Sequence, residues 1–168
     1  MKKRESRIVI VTGNSGFVGR YLTSALLREG HSVVGIDIEQ MDKRFIFDPD
    51  KFTQEIVDLR NFAKLNKVCE KLNNVDFVFH TVAIQPTNNN MDIVDYLDTN
   101  FIGSSNLISV CSKHGFKNII LSSSFSIYGK PQYLPIDEVH PTAPRNPYGI
   151  SKFLTEQLYE YYSRMNDF

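Results

Sequence analysis

The chain has 168 residues, 42% of them apolar and 23% charged, as in one soluble globular domain, and it is too short for two full ones. Nineteen basic and nineteen acidic side chains cancel, so we expect no electrostatic attraction to nucleic acid or to an anionic membrane. No apolar run approaches the roughly 20 residues that cross a bilayer, and two distant cysteines, Cys69 and Cys111, favour a reducing cytoplasm over a disulfide framework or a zinc site.

Short runs typical of β-strands alternate with helical patterns along the chain. Residues 8–11 form a continuous apolar run, which indicates a strand buried on both faces. A helix follows and ends at Gly30. Residues 41–54 have no clear period and are interpreted as a connection. Further strands are predicted at residues 32–38, 55–57, 76–81 and 117–122.

Three more helices are predicted from apolar spacing. One carries Phe62, Leu65, Cys69 and Leu72. A long helix runs from about residue 92 to residue 112, roughly 30 Å at 1.5 Å per residue. Residues 131–147 hold five prolines and are predicted to be a loop, and a last helix runs from near Pro147 toward Tyr162.

This alternation predicts an α/β fold, a doubly wound parallel sheet covered by helices on both faces, as in Rossmann-like domains. Such sheets bind ligands at the carboxyl ends of their strands. The polar and glycine residues considered next fall at those ends.

A glycine-rich turn follows the first strand and opens the first helix. Gly13 permits the tight turn, Gly16 lets a diphosphate approach the backbone, and Gly19 lets helix and strand pack closely. The spacing is GxxGxxG rather than GxGxxG, and a glycine triplet alone is equally typical of a structural turn. Its position between a strand and a helix favours the phosphate-binding interpretation.

Acidic residues lie at the end of the second strand and after the third. Asp37, 18 residues after Gly19, is suited to accept hydrogen bonds from the adenosine ribose, with Glu39 close enough to share that task. A carboxylate there repels a 2′-phosphate, so NAD is favoured over NADP. Asp58 is suited to bind the adenine amino group, and without the rest of the pattern it is interpreted as the N-cap of the helix beginning near Arg60.

Tyr148 and Lys152 stand four residues apart at the start of the last helix and therefore share one face. A tyrosine phenol in water has a pKa of about 10, and a neighbouring ammonium favours the phenolate, which makes such a tyrosine a usable proton acceptor. The alternative is an ordinary pair on a helix surface, which is far commoner at this spacing.

Other candidate polar residues have structural alternatives as well. Ser124 ends a serine run after the fifth strand and is suited to hold a reacting oxygen beside Tyr148, or simply to cap a turn. Asn100, a poor helix former inside the long helix, is suited to bind a carbonyl or a water that leads to Lys152, or is solvated. The four histidines share no metal-ligand spacing, and His80 is interpreted as a packed residue at a strand end rather than a catalytic one.

Taken together, these residues resemble the extended short-chain dehydrogenase/reductase family and, within it, the NAD-dependent epimerase/dehydratase group that acts on nucleotide sugars. The resemblance covers nearly the whole chain, and its specificity lies in the order and spacing of the pieces. They are residues 12–19 (TGNSGFVG), Asp37, residues 58–59 (DL), residues 80–83 (HTVA), residues 100–103 (NFIG), residues 122–124 and 128–129 (SSS and YG), and residues 147–152 (PYGISK).

The resemblance implies a catalytic group of Ser124, Tyr148 and Lys152, assisted by Asn100. Tyr148 would remove a proton from a sugar hydroxyl while a hydride passes to the nicotinamide; Lys152 would bind the nicotinamide ribose and hold the pKa of the tyrosine down. No metal is implied. The implied NAD-binding residues are Gly13, Gly16, Phe17, Val18, Gly19, Asp37, Asp58, Leu59, Val82, Ala83, Tyr148 and Lys152.

The reaction class is narrowed by one local difference. Dehydratases and decarboxylases of this group have a sequence similar to Thr-Asp-Glu or Thr-Ser-Glu just before the Val-Tyr-Gly turn. This chain has Ser124, Phe125 and Ser126 there. Because no carboxylate is present there, epimerisation or simple oxidoreduction is favoured over dehydration. A dehydratase or reductase, and a non-catalytic NAD-binding module, stay as alternatives.

Two departures from the resemblance carry expectations. Val82 replaces a smaller alanine and would crowd the approach to the cofactor. Members of the family continue beyond Phe168 into a smaller substrate lobe, so residues 1–168 are expected to be the cofactor domain of a truncated enzyme. Residues 85–91 and 129–138 are expected to help choose the sugar. Family members also pair through the long helix and the catalytic helix, which implies a homodimer.

Overall fold

Five parallel strands form one sheet in the computed structural model, which describes residues 5–86 and 92–166. Residues 87–91, part of the segment expected to help choose the sugar, lie outside the described residues. The strands are β1 (Ile8–Thr12), β2 (Ser32–Asp37), β3 (Phe52–Ile56), β4 (Phe77–His80) and β5 (Ile119–Leu121), in the spatial order β3-β2-β1-β4-β5.

The helices follow the strands in the predicted alternation. They are α1 (Phe17–Arg28), α2 (Phe62–Cys69), α3 (Ile93–Tyr96), α4 (Gly103–His114) and α5 (Pro147–Asn166). A π-helical segment, Leu97–Ile102, joins α3 to α4. Short 3₁₀ turns occupy Lys43–Phe45, Pro49–Lys51 and Phe125–Ile127.

The sheet is covered on both faces, which confirms the doubly wound α/β prediction. Along β1, Val9 and Val11 pack with Leu27 of α1, whereas Ile10 packs on the opposite face with Leu65 of α2 and Leu107 of α4. Burial on both faces explains why β1 is apolar throughout.

Three predicted boundaries were wrong by three residues or more. β3 begins at Phe52, inside the predicted connection, because Phe52 pairs with Val33 of β2. As an edge strand β3 needs no continuous apolar run, so its start is not visible in the apolar pattern. The predicted helix through Leu72 ends at Cys69, and the last helix continues beyond Tyr162. The long helix is not uniform, because its middle turn has π geometry.

The described residues contain neither a membrane-spanning helix nor a cluster of metal ligands. Within residues 5–86 and 92–166, no helix is long and apolar enough to span a membrane. The same residues contain no group of three or more histidine, cysteine or carboxylate side chains that could hold a metal ion.

Candidate active site

The glycine turn brings β1 and α1 into very close contact. Gly13 has a left-handed backbone (φ +76°), and its N–H donates to the carbonyl of Ile36 in β2 at 2.8 Å. A Cβ at Gly19 would lie 2.0 Å from the carbonyl oxygen of Gly13, so only glycine fits there. Gly19 is buried and acts through this packing.

The first turn of α1 is open to an anion. Gly16 is the N-cap residue, and no side chain among the described residues caps this helix end. Phe17 and Val18 are 73% and 53% exposed at the same end. Uncapped N–H groups and the helix dipole favour negative charge, so a phosphate fits this position.

A pocket of about 400 Å³ opens beside this turn, at the carboxyl ends of the strands. It includes seven of the residues predicted to bind the cofactor: Gly13, Gly16, Asp37, Asp58, Leu59, Val82 and Ala83. Its other lining residues are Ser15, Ile38, Glu39, Val57, Arg60, Thr81, Ile84 and Thr99. Ser15 was detectable as part of the glycine turn, whereas no local signal identifies Arg60 or Thr99.

The carboxylate of Asp37 is held by backbone donors. Its Oδ2 accepts from the Ser15 N–H at 2.8 Å, and its Oδ1 accepts from the N–H groups of Ile38 at 2.7 Å and Glu39 at 3.3 Å. A carboxylate offers about four acceptor positions, so capacity remains for ribose hydroxyls. Gln54 strengthens this corner because its Nε2 donates to the carbonyl of Glu39 at 2.8 Å.

Asp58 is not the helix cap that the local pattern suggested. Asn61 caps α2 instead, with its Oδ1 accepting from the Lys64 N–H at 3.0 Å. Asp58 is bound by Arg60 at 2.6 Å, and Arg60 also reaches Asp98 of the π-helical segment at 2.8 Å. Hydrogen bonds from the Arg60 guanidinium lower the pKa of the Asp58 carboxyl. Asp58 therefore stays ionised at the rim of the pocket.

Tyr148 and Lys152 are both buried, unlike an ordinary pair on a helix surface, with exposed fractions of 9% and 2%. Asn146 starts their helix, since its Oδ1 accepts from the Gly149 N–H at 2.7 Å. The Tyr148 ring meets Tyr96 of α3 edge to face at 6.2 Å. Burial lowers the pKa of Lys152 to about 8, opposed by the negative charge of Glu156.

Ser124 lies on a turn that packs against the start of α5. It is the N-cap of the 3₁₀ turn Phe125–Ile127, and its Oγ accepts from the Ser126 N–H at 3.2 Å. A Cβ on Gly149 would lie 2.6 Å from the carbonyl oxygen of Ser126, so this turn touches the helix next to Tyr148. Phe125 is 81% exposed.

Asn100 ties the pocket wall to α5. Its Oδ1 accepts from the Ile84 N–H at 2.7 Å, and its Nδ2 donates to the Ile84 carbonyl at 3.1 Å and to Ser151 Oγ at 3.0 Å. Both amide hydrogens are thus used within the protein. The side chain binds a carbonyl, as expected, but it connects to Ser151 rather than to Lys152.

His80 is the packed residue that the sequence predicted. It is 1% exposed, and its ring stacks on Tyr159 at 6.1 Å. Burial, with a smaller contribution from the charge of Lys152, lowers the pKa of His80 to about 3, so the imidazole is neutral.

The predicted site residues thus fall into two groups. The pocket gathers the dinucleotide residues that surround the glycine turn. Its lining does not include Phe17, Val18, Gly19 or the four predicted catalytic residues, Ser124, Tyr148, Lys152 and Asn100.

Comparison with known proteins gives a consistent family assignment. The family model described as NAD dependent epimerase/dehydratase family matches residues 9–168. UDP-glucose 4-epimerase from Mus musculus is 32% identical over 170 residues, which cover 89% of this chain and 47% of that protein. The chain spans about half the length of the curated relatives it matches.

Solved structures agree with the fold. The UDP-Glc/GlcNAc 4-epimerase from Campylobacter jejuni matches with a TM-score of 0.88 and 27% identity, over 96% of this chain and 50% of that one. UDP-glucose 4-epimerase from Bifidobacterium longum, solved in complex with NAD⁺ and UDP, matches with a TM-score of 0.84 and 32% identity, over 94% of this chain and 49% of that one.

Proposed function

The chain belongs to the NAD dependent epimerase/dehydratase family, and from that premise we propose that residues 1–168 form the NAD-binding part of a nucleotide-sugar epimerase. The observation that carries the proposal is the pocket beside the glycine turn, which joins an anion-binding helix end to two carboxylates suited to an adenosine. The UDP-glucose 4-epimerases among its relatives support a nucleotide sugar as the substrate.

The residues present fit NAD by their donor and acceptor chemistry. The first turn of α1, with Gly16, Phe17 and Val18, would take the diphosphate. Asp37 would accept hydrogen bonds from the adenosine ribose, and Asp58 would accept one from the adenine amino group. Leu59, Val82 and Ala83 would supply apolar contacts, since all three line the pocket.

NAD, when bound, supplies the hydride acceptor and donor of the reaction. Tyr148 would remove the proton from the sugar hydroxyl, and Ser124 would donate a hydrogen bond to the same oxygen. Lys152, buried one turn after Tyr148, would bind the nicotinamide ribose. Asn100 would hold Ile84 and Ser151 in place, which fixes the pocket wall relative to α5.

Epimerisation is favoured over dehydration because Ser124, Phe125 and Ser126 supply no carboxylate at the turn beside α5. Loss of water needs an acid to protonate the leaving hydroxyl. Simple hydride transfer and its reversal need no such acid.

Cofactor choice can be tested by calorimetric titration with NAD and NADP. We expect NAD to bind more tightly, and Asp37→Ala to weaken NAD binding by about tenfold or more, because a hydrogen bond to a charged group is lost. Asp50→Ala, an exposed carboxylate in the Pro49–Lys51 turn, is the matched control and should bind NAD like the parent chain. Equal affinity for both cofactors, or none for either, would count against the proposal.

Turnover is best measured with UDP-sugars on the intact protein that carries this chain. Tyr148→Phe should lower kcat by at least about a hundredfold, since general acid–base catalysis contributes that much, and should change NAD affinity far less. Tyr161→Phe, on the exposed side of the same helix, should keep full activity. NAD binding without turnover by the intact protein would favour the non-catalytic module instead.

A further inference from the structure

A hydrogen-bond relay through Thr12, His80, Ser104 and Asn100 runs through the core from the glycine turn toward α5. Thr12, the last residue of β1, places its Oγ1 2.7 Å from His80 Nδ1. His80 Nε2 lies 2.7 Å from Ser104 Oγ, and the Ser104 hydroxyl donates to the carbonyl of Asn100. These four residues are at most 1% exposed, so water does not compete for their bonds.

All the hydrogen bonds of this relay donate in a defined direction. A serine hydroxyl has a single proton, and that of Ser104 goes to the Asn100 carbonyl, so Ser104 Oγ must accept from His80 Nε2–H. His80 Nδ1 then carries no proton and accepts from the Thr12 hydroxyl. The three bonds are consistent with one tautomer of a neutral imidazole.

The hydrogen-bond relay ends at Asn100, which also contacts the pocket wall and α5. Thr155 Oγ1 of α5 lies 3.1 Å from the Asn100 carbonyl oxygen, but it is closer, at 2.8 Å, to the Ser151 carbonyl of its own helix. The firmer link is the Asn100 side chain, which holds Ile84 of the pocket wall and Ser151 of α5. Ser151 directly precedes Lys152. The π geometry of the Leu97–Ile102 segment accompanies this junction, in agreement with the frequent use of π-bulges at functional sites.

We propose that His80 is a positioning residue that couples the glycine turn to the helix carrying Tyr148 and Lys152, through Thr12 on one side and Ser104 with Asn100 on the other. This inference rests on the proposed function, because it takes the glycine turn to be the diphosphate site. His80 itself touches no reacting atom. Through these bonds, the position of the catalytic helix depends on what occupies the glycine turn, about 130 residues earlier in the sequence.

ADP is a suitable probe, since it can occupy the turn and the adenosine pocket but lacks the nicotinamide end that would reach Lys152. The measurement is the titration midpoint of Lys152 in isotope-labelled protein, by NMR, with and without saturating ADP. We expect ADP to move the midpoint by about 0.3 pH or more in the parent protein, as coupling of ordinary size would give.

Ser104→Ala interrupts the hydrogen-bond relay by removing a single hydroxyl oxygen. It should retain ADP affinity within about threefold and lose most of the ADP-dependent change at Lys152. Ser109→Ala is the matched control, because Ser109 lies on the same helix but bonds Tyr162. It should behave like the parent protein. If Ser104→Ala does not fold, Thr12→Val cuts the other end, and Thr12→Ser, which keeps the hydroxyl, should restore the effect.

The outcomes separate the possibilities. If these residues had only a structural task, their variants would be less stable to heat but would keep the ADP-dependent change at Lys152. That result would overturn the inference. A parent protein that binds ADP with no change at Lys152 would overturn it as well. Failure to bind ADP or NAD at all would instead overturn the proposed function.

Discussion

The ammonium of Lys152 is buried one helical turn after Tyr148, and its environment opposes the charge. Its pKa is about 8 in the folded protein and 10.5 in the unfolded chain. Below pH 8 both states are protonated, and the folded state carries the full cost of the buried charge, about 3 kcal/mol. Between pH 8 and 10.5 the unfolded state binds more protons, so this group's contribution to stability rises with pH.

Lys152→Met therefore should raise the free energy of unfolding at pH 7 by up to about 3 kcal/mol and abolish turnover. Denaturant unfolding at pH 7 and at pH 10.5 measures this, and the advantage of the variant should shrink across that interval. Lys117→Met, an exposed lysine just before β5, should change little at either pH. A variant that is less stable at pH 7, or an advantage independent of pH, would contradict the argument.

Single residues differ in how far the sequence identifies their tasks. Gly13 and Asp37 were predictable because one directly follows β1 and the other ends β2, each in a recognisable local pattern. The partners of Asn100 and His80 were not, because their bonds join residues between 16 and 68 positions apart. Only the folded chain brings Thr12 to His80, or Asn100 to Ser151. The same limit applies to Asp58, since its cap alternative failed when Asn61, three residues later, took that position.

At the scale of elements, β1, the glycine turn and α1 act as one unit with almost no spare space. Gly19→Ala would place a Cβ 2.0 Å from the Gly13 carbonyl oxygen, so either α1 or the turn must move. We expect a loss of about 2 kcal/mol or more in unfolding free energy and a large loss of NAD affinity, both measurable on purified protein.

Gly115→Ala is the control for that experiment. Gly115 ends α4 with φ +72°, and a Cβ there would meet no atom within 4 Å. We expect a cost of about 1 kcal/mol from the left-handed backbone, with NAD affinity unchanged. Equal effects of both substitutions on NAD binding would show that close packing of the turn is not what matters.

Helices and buried strands were predictable as elements because their apolar patterns are long and regular. The edge strand β3 was placed too late in the chain because none of its residues is fully buried, so it shows no continuous apolar run. The π-helical segment left no sequence signal of its own. Its Asn100 side chain bonds Ile84 and Ser151, which are 16 and 51 positions away, and contacts of that kind are not visible in a local pattern.

At the scale of the whole molecule, strand order determines where the pocket lies. The chain winds outward from β1 to β3 on one side and then from β4 to β5 on the other. The crevice between these two directions opens at the end of β1, directly at the glycine turn. This position was predictable from the alternation of elements alone, because right-handed crossovers leave few other arrangements.

The proposed homodimer is a prediction at the same scale. Apolar residues along α3, the π-helical segment and α5 are only partly buried in the described residues: Ile93, Leu97, Phe101, Leu154 and Leu158. Val94 and Tyr161 on these helices are 65% and 57% exposed. We propose that these helices form the contact between two copies of the chain, and we expect light scattering at micromolar concentration to give twice the monomer mass.

Val94→Asp with Tyr161→Asp should convert that dimer to a folded monomer, because two carboxylates would be buried in an apolar contact with no partner. Both side chains are exposed within one chain, so each subunit should keep its own stability. Val139→Asp introduces the same charge at an 82% exposed position in the proline-rich loop, away from these helices, and should leave the dimer intact. A parent protein with the scattering of a monomer would show that there is no such contact. A double variant that stays dimeric would show that the contact lies elsewhere.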